Sequence, residues 1–292
     1  MMSNIRGLIK TMRPKQWIKN GFVFAALVFD AKVTQWPYVW RALAGFILFV
    51  LVSGIVYVIN DLADMERDRQ HPKKSRRPLA SGEVSPRVAL IFAIVGSLAA
   101  LGVGLWFFPA FGMILLGYWL LQLAYSFWLK SIVLLDVITV ALGFVLRVAG
   151  GALLVNAERF SPWLYLCMTL VALFMALGKR RGELVLLGTE AGNHRDILKE
   201  YNFALLDQLI GAITSATILA YAFYTFSAPN LPANHGMMLT IPFVIYCFFR
   251  YLYLIHVQGT TLAPDEVVLT DRPLQVAFVL WGLMATGILY LG

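Results

Sequence analysis

Apolar runs long enough to cross a bilayer recur from end to end of this 292-residue chain, and nothing else in the sequence restricts the fold as much. A backbone inside hydrocarbon must satisfy its own hydrogen bonds, so spans are helices or closed barrels. Runs of about twenty apolar residues have the length of helical spans. Only 14% of the residues are charged and the mean hydropathy is +0.73, against roughly 25% charged in a soluble domain. The reading is an all-α polytopic membrane protein, with residues 1–292 forming a single membrane-embedded domain of nine transmembrane helices. The spans are placed near 20–36, 40–59, 85–108, 111–128, 132–154, 162–178, 208–226, 238–256 and 274–291. Before them, Arg6, Lys10, Arg13, Lys15 and Lys19 alternate with Ile5, Leu8, Ile9, Met12 and Trp17. That pattern predicts an interfacial helix within residues 1–19, stopped near Pro14. No cleavable signal peptide is expected. Cys167 and Cys247 both fall in apolar segments, which gives no support to a disulfide or a zinc site.

The nine-span arrangement can be checked against charge. It puts 20 of the 24 Lys and Arg residues on the side of the N-terminus and leaves Lys32, Arg41 and Arg159 opposite, with Arg147 inside a span. Basic residues collect on the cytoplasmic side. The N-terminus and the polar loops 60–87, 179–207 and 257–273 are therefore expected in the cytoplasm and the C-terminus outside, in a cell membrane. In such a protein a net charge of +8 reports contact with membrane lipids and phosphates, not nucleic acid.

The stretch from Asn60 to Gly82, N-D-L-A-D-M-E-R-D-R-Q-H-P-K-K-S-R-R-P-L-A-S-G, carries the most specific chemistry. Asp61, Asp64 and Asp68 are spaced i, i+3, i+7. They share one face if the preceding helix continues through them. Three carboxylates on one face repel unless a cation lies among them. Mg²⁺ takes oxygen ligands and is commonly completed by substrate phosphates. Lys73, Lys74, Arg76 and Arg77 follow at once, between Pro72 and Pro78, which break helix. An acidic face followed by a basic loop at a membrane surface points to Mg²⁺ with a phosphorylated ligand. The plain alternative for the basic residues is a solvated loop that obeys the charge rule.

Other stretches are candidates for the same chemistry. Lys179, Arg180 and Arg181 are expected to leave the sixth span together, with Glu183 close behind. Guanidinium binds phosphate in bidentate fashion and ammonium as a point charge, while stop-transfer charge is the simpler account. Asp136 and Arg147 lie eleven residues apart in the fifth span. Ionisable groups there mark either a polar cavity or a buried structural pair. Near the last span, Thr270 or Asp271 is placed to cap the helix, with Pro273 in its first turn.

The N-D-x-x-D-x-x-x-D pattern at the end of the second of nine helices resembles the UbiA-type intramembrane prenyltransferase superfamily. Members usually carry a second aspartate-rich motif after the sixth helix, where this chain reads K-R-R-G-E. Further blocks are R-P-K-Q-W-I-K-N at Arg13, Y-S-F-W-L-K at Tyr125, L-D-V-I-T-V-A-L-G-F-V-L-R-V at Leu135, G-K-R-R-G-E-L at Gly178 and D-E-V-V-L-T-D-R-P-L-Q at Asp265. With the Asn60–Gly82 stretch they are similar to the decaprenyl-phosphate phosphoribosyltransferase branch along nearly the whole chain. The resemblance implies a UbiA-type bundle. It implies Mg²⁺ on Asn60, Asp61, Asp64 and Asp68, the three aspartates being catalytic, with phosphoribosyl pyrophosphate as donor and a polyprenyl phosphate as acceptor. Lys15, Lys19, Lys73, Arg76, Arg77, Tyr125, Lys130, Asp136, Arg147, Lys179, Arg180, Arg181 and Glu183 are then the candidates for holding phosphates and substrate, with Lys130, Lys179 and Arg180 foremost.

Three readings compete. A conventional prenyltransferase acting on an aromatic or other apolar acceptor needs a second acidic loop, for which Glu183, Glu190 and Asp196 are poor substitutes. A transporter needs polar residues along several spans near the midplane, and most spans here are featureless. A lipid-binding scaffold gives no reason for the three-carboxylate face. A homo-oligomer is compatible with all of them.

Overall fold

A computed structural model describes residues 2–70, 74–157, 161–187, 196–229 and 231–291. Among these there is no β-strand. Helix α1 (Met2–Thr11) is followed by a 3-10 helix (Pro14–Phe24) that runs into α2 (Ala25–Phe29). Then come α3 (Trp36–Ala63), α4 (Met65–Gln70), α5 (Pro86–Phe107), α6 (Pro109–Phe127) and α7 (Leu135–Leu154). The remaining helices are α8 (Pro162–Leu187), α9 (Phe203–Ser227), α10 (Ile241–His256), α11 (Pro264–Thr270) and α12 (Arg272–Leu291). Proline opens α5, α6, α8 and α11, where its missing N–H costs nothing and its fixed φ suits the first turn. Asn202 caps α9 through its side-chain oxygen, which accepts from the Leu205 N–H at 2.8 Å. Asp271 caps α12 by accepting from the Leu274 N–H at 2.9 Å.

The chain forms two compact units. One comprises residues 1–28, 32–127 and 146–157. In it α3 packs on α5, α6, α1 and the 3-10 helix, around a core that includes Val23, Phe49, Phe111, Leu115, Tyr118 and Leu154. Gly151 of α7 permits a close approach, because a Cβ there would strike the carbonyl oxygen of Val23. The other unit comprises residues 29–31, 128–145 and 158–292. There α8 packs along α9, and α10 along α12. One core gathers Phe174, Leu177, Leu206 and Tyr251, and a second gathers Leu164, Tyr221, Tyr224 and Met237.

Eight described helices are long and apolar enough to cross a membrane, and this is a multi-pass membrane protein. The first of the nine expected spans is not among the eight. Its residues form the 3-10 helix and the five-residue α2, a narrow coil that fits against Gly151. The sixth span runs on to Leu187, so the expected loop 179–207 begins as helix and Lys179, Arg180, Arg181 and Glu183 are helical residues. The expected loop 60–87 likewise starts inside α3 and contains α4, and the loop 257–273 contains α11. These polar stretches are amphipathic continuations of helix, in which charged side chains find partners on packed neighbours.

Candidate active site

The acidic motif sits where α3 ends. Asp61 is still on α3 and is only 2% exposed. The helix breaks at Asp64, with φ −92° and ψ 2°, and its N–H bonds the Asn60 carbonyl. Asp68 lies on α4 and is buried. The three aspartates therefore do not ride one continuous helix. The break still brings two of them to one cation. Arg77 Nη1 lies 2.6 Å from Asp68 Oδ2 and 3.1 Å from Asp61 Oδ1. Arg13 Nη2 donates to Asp61 Oδ1 at 2.8 Å, and its guanidinium lies 4.5 Å from the Tyr57 ring centroid. Asp64 accepts from Asn60 Nδ2 at 3.2 Å. Among the described residues, no three His, Cys, Asp or Glu side chains are grouped as ligands of one ion.

Arg13 joins α1 to the 3-10 helix in the left-handed conformation, with φ 55° and ψ 69°. A non-glycine residue there is strained and persists only where its surroundings hold it. Its ion pair and ring contact supply that hold. Of the other basic candidates in this unit, Lys15 and Arg76 are exposed and Lys19 is partly buried. Lys73 lies outside the described residues. Tyr125 is partly buried on α6.

Arg147 is buried in the C-terminal part of α7. Its Nε donates to Asn20 Oδ1 and its Nη2 to the Tyr118 hydroxyl, both at 2.8 Å. Its guanidinium also lies 4.6 Å from the Tyr118 ring centroid. Asn20 Nδ2 in turn donates to Ser53 Oγ at 3.3 Å. This chain of polar groups ties the 3-10 helix to α3, α6 and α7.

The second unit has its own network. Asp136, in the first turn of α7, is 0% exposed. It accepts from Arg180 Nε of α8 and from the Tyr201 hydroxyl, each at 2.6 Å. Arg180 is 4% exposed and also donates through Nη1 to Glu183 Oε2 at 2.7 Å. The Tyr201 oxygen accepts from the Leu134 N–H at 2.9 Å. Burial, reinforced by the Asp136 carboxylate, pushes the Tyr201 hydroxyl up to about 12. Arg181 Nε donates to Asp207 Oδ1 at 2.6 Å. Lys130 lies in a short 3-10 helix and is partly buried, while Lys179 is exposed.

Asp136 and Arg147 thus belong to separate hydrogen-bond networks, one in each unit. Of the two alternatives, the structural pair describes Asp136 with Arg180. Sequence reasoning missed Arg13, Asn20, Tyr118, Tyr201 and Asp207 as members of these networks. Only Asn20 carried a local signal, an amide at the mouth of an apolar run. The others are recognisable only once distant segments meet.

The model of the family described as "UbiA prenyltransferase family" matches residues 21–181. The decaprenyl-phosphate phosphoribosyltransferase of Corynebacterium glutamicum is 34% identical over 283 residues, covering 94% of this chain and 84% of the relative. That of Mycolicibacterium smegmatis is 31% identical over 288 residues, covering 95% and 90%. Among solved structures, a UbiA homologue from Archaeoglobus fulgidus bound to DMAPP and Mg²⁺ superposes with a TM-score of 0.71 at 19% identity, covering 97% of this chain and 98% of the other.

Proposed function

Because the chain belongs to the UbiA prenyltransferase family, we propose which of its chemistries it performs: transfer of 5-phosphoribose from phosphoribosyl pyrophosphate to a polyprenyl phosphate. The near-full-length relation to decaprenyl-phosphate phosphoribosyltransferases carries this reading. The site supports it at one further point. A prenyltransferase that clamps a diphosphate between two acidic motifs needs carboxylates after the sixth span. Here the last turns of α8 carry instead Lys179, Arg180 and Arg181, with Glu183 paired to Arg180.

A metal is part of the proposal. Asp61 and Asp68 already converge on one cationic group, Arg77, and an all-oxygen donor set suits Mg²⁺. Asp61, Asp68 and, after a turn away from Asn60, Asp64 would hold the ion. When bound, Mg²⁺ supplies charge neutralisation for the departing pyrophosphate. The acceptor phosphate is ionised at neutral pH, so no strong general base is required. Its oxygen bonds to the anomeric carbon as the carbon–oxygen bond to pyrophosphate breaks, and pyrophosphate leaves with the electron pair. Arg77 and Arg13, released from the carboxylates, would be positioned to take phosphate oxygens in bidentate fashion. Lys15, Lys19, Lys130, Lys179 and Arg181 are the further cations we assign to phosphate. Arg180 is assigned to hold Asp136.

The test is transfer of label from phosphoribosyl pyrophosphate to a polyprenyl phosphate by the purified full chain, with and without Mg²⁺, beside Asp61→Asn and Asp64→Asn. Labelled lipid that needs the metal and both carboxylates is expected. Consumption of a prenyl diphosphate with an aromatic acceptor, and no labelled lipid, would replace this reading with ordinary prenyl transfer.

A further inference from the structure

Helix α1 lies against the start of α5, and an apolar groove of about 450 Å³ opens between them. Leu8 of α1 forms one wall, and Val88, Ile91, Phe92, Val95 and Ala99 of α5 form the other. The protein leaves this groove open along its length, since Ile91, Val95 and Ala99 are exposed. The groove has a polar end. Arg87 is exposed and lies four residues, one helical turn, before Ile91, on the stripe of α5 that continues through Val95 and Ala99. Arg87 enters no ion pair among the described residues. Glu83, four residues before Arg87, is paired with Lys10 at 3.5 Å. The N-terminus of α5, a 22-residue helix, adds its positive end at the same place.

We propose that this groove is a binding site for an anionic phospholipid. Its acyl chain lies along α5 and its phosphate lies at Arg87 and the N-terminus of α5. The length selects this occupant. From Val88 to Ala99 the helix rises about 16 Å, roughly half of the ~30 Å hydrocarbon core. That is the depth of one leaflet and matches one acyl chain, whereas a long polyprenyl tail would overrun it. The charge selects the headgroup. Arginines at the interface reach up to the polar layer while their stems cover apolar surface, and juxtamembrane basic side chains favour anionic lipids. The site is distinct from the acidic motif, and the proposal stands whether or not the transfer reaction above is the right one.

The experiment is native mass spectrometry of the full chain in detergent, titrated with phosphatidylglycerol or with phosphatidylcholine of the same acyl chains. The native chain should retain phosphatidylglycerol preferentially. Arg87→Gln should reduce that preference about fivefold while still admitting either lipid. Ala99→Phe, at an exposed position in the groove, should lower retention of both lipids and leave the melting temperature unchanged. Equal retention of the two lipids by the native chain overturns the proposal. So does a preference that survives Arg87→Gln, or a retention that Ala99→Phe does not lower. Displacement of bound phosphatidylglycerol by equimolar polyprenyl phosphate would give the groove to the acceptor and overturn it as well.

Discussion

Arg77 touches Asp61 and Asp68 at once, and this double contact makes it the side chain whose removal should be most informative. Without it two carboxylates face each other with only Arg13 beside one of them. Breaking a buried pair costs about 3–5 kcal/mol. Arg77 is about a quarter exposed, so a loss of about 2 kcal/mol is expected for Arg77→Ala in metal-free buffer. Millimolar Mg²⁺ should recover much of it, and should raise the melting temperature of the variant more than that of the native chain. A melt insensitive to Mg²⁺ in both proteins would count against a metal at these carboxylates. The network around Asp136 should behave differently. Asp136→Asn leaves Arg180 buried beside a neutral amide and should cost about 3 kcal/mol with no rescue by metal. Tyr201→Phe removes one hydrogen bond and should cost about 1 kcal/mol. The Tyr201 hydroxyl is raised in the folded state, so its contribution is complete below its unfolded value near 10 and is lost as pH rises towards 12. Melts of the native chain and Tyr201→Phe should converge over that alkaline range. At this scale the sequence announced Asp61 and Asp68 through spacing alone. It could not announce that the helix breaks at Asp64, because that rests on backbone angles there.

Among the elements, the 3-10 helix Pro14–Phe24 is the one whose form was least legible. Its apolar composition reads as an ordinary span, and the α-helical spacing gives no warning. What sets it are contacts made far along the chain, from Arg147 to Asn20 and from Gly151 to the Val23 carbonyl. Gly151→Ala should therefore displace the segment that carries Lys15 and Lys19. A destabilisation of about 1–3 kcal/mol and weaker substrate binding are expected, measurable by thermal melting and by KM. Helix starts were easier to read, because proline and capping residues act locally. Asp271 is the cap that its sequence suggested. The hydrogen bonds from Arg250 are the first cause holding its carboxyl below the usual carboxylate value, and the Leu274 N–H adds to them against a small cost of burial. A depressed value means that Asp271 stabilises above its unfolded value near 3.9, and that this is lost as pH falls through the lower folded value. Asp271→Asn should flatten the acid limb of the stability profile, which melts between pH 5 and 3 would reveal. Helix ends were harder to read. The sixth span looks finished at Gly178, yet α8 continues nine residues further. Its charges are absorbed by Glu183, a neighbour in sequence, and by Asp136 and Asp207, which are invisible as partners in one dimension.

For the whole molecule, the distribution of basic residues predicts an orientation that labelling can test. Single cysteines placed at Ser75 and Asp265 should react with an impermeant reagent from the cytoplasmic side, and one at Asn234 from the opposite side, after Cys167 and Cys247 are replaced by alanine. Labelling of all three from one side would refute this arrangement, and a further cysteine at Asn4 reacting from the side opposite Ser75 would refute an odd number of crossings. That number depends on the segment that fails the α-helical test, Pro14–Phe29. A 3-10 coil climbs about 2.0 Å per residue, against 1.5 Å in an α-helix. Over the eleven residues of Pro14–Phe24 it gains about 22 Å, and the five of α2 add about 7 Å. The stretched coil thus reaches close to the ~30 Å of the hydrocarbon core with sixteen residues. An α-helix of the same residues would stop about 6 Å short, so a crossing at this segment would rest on the wider rungs of its 3-10 turns.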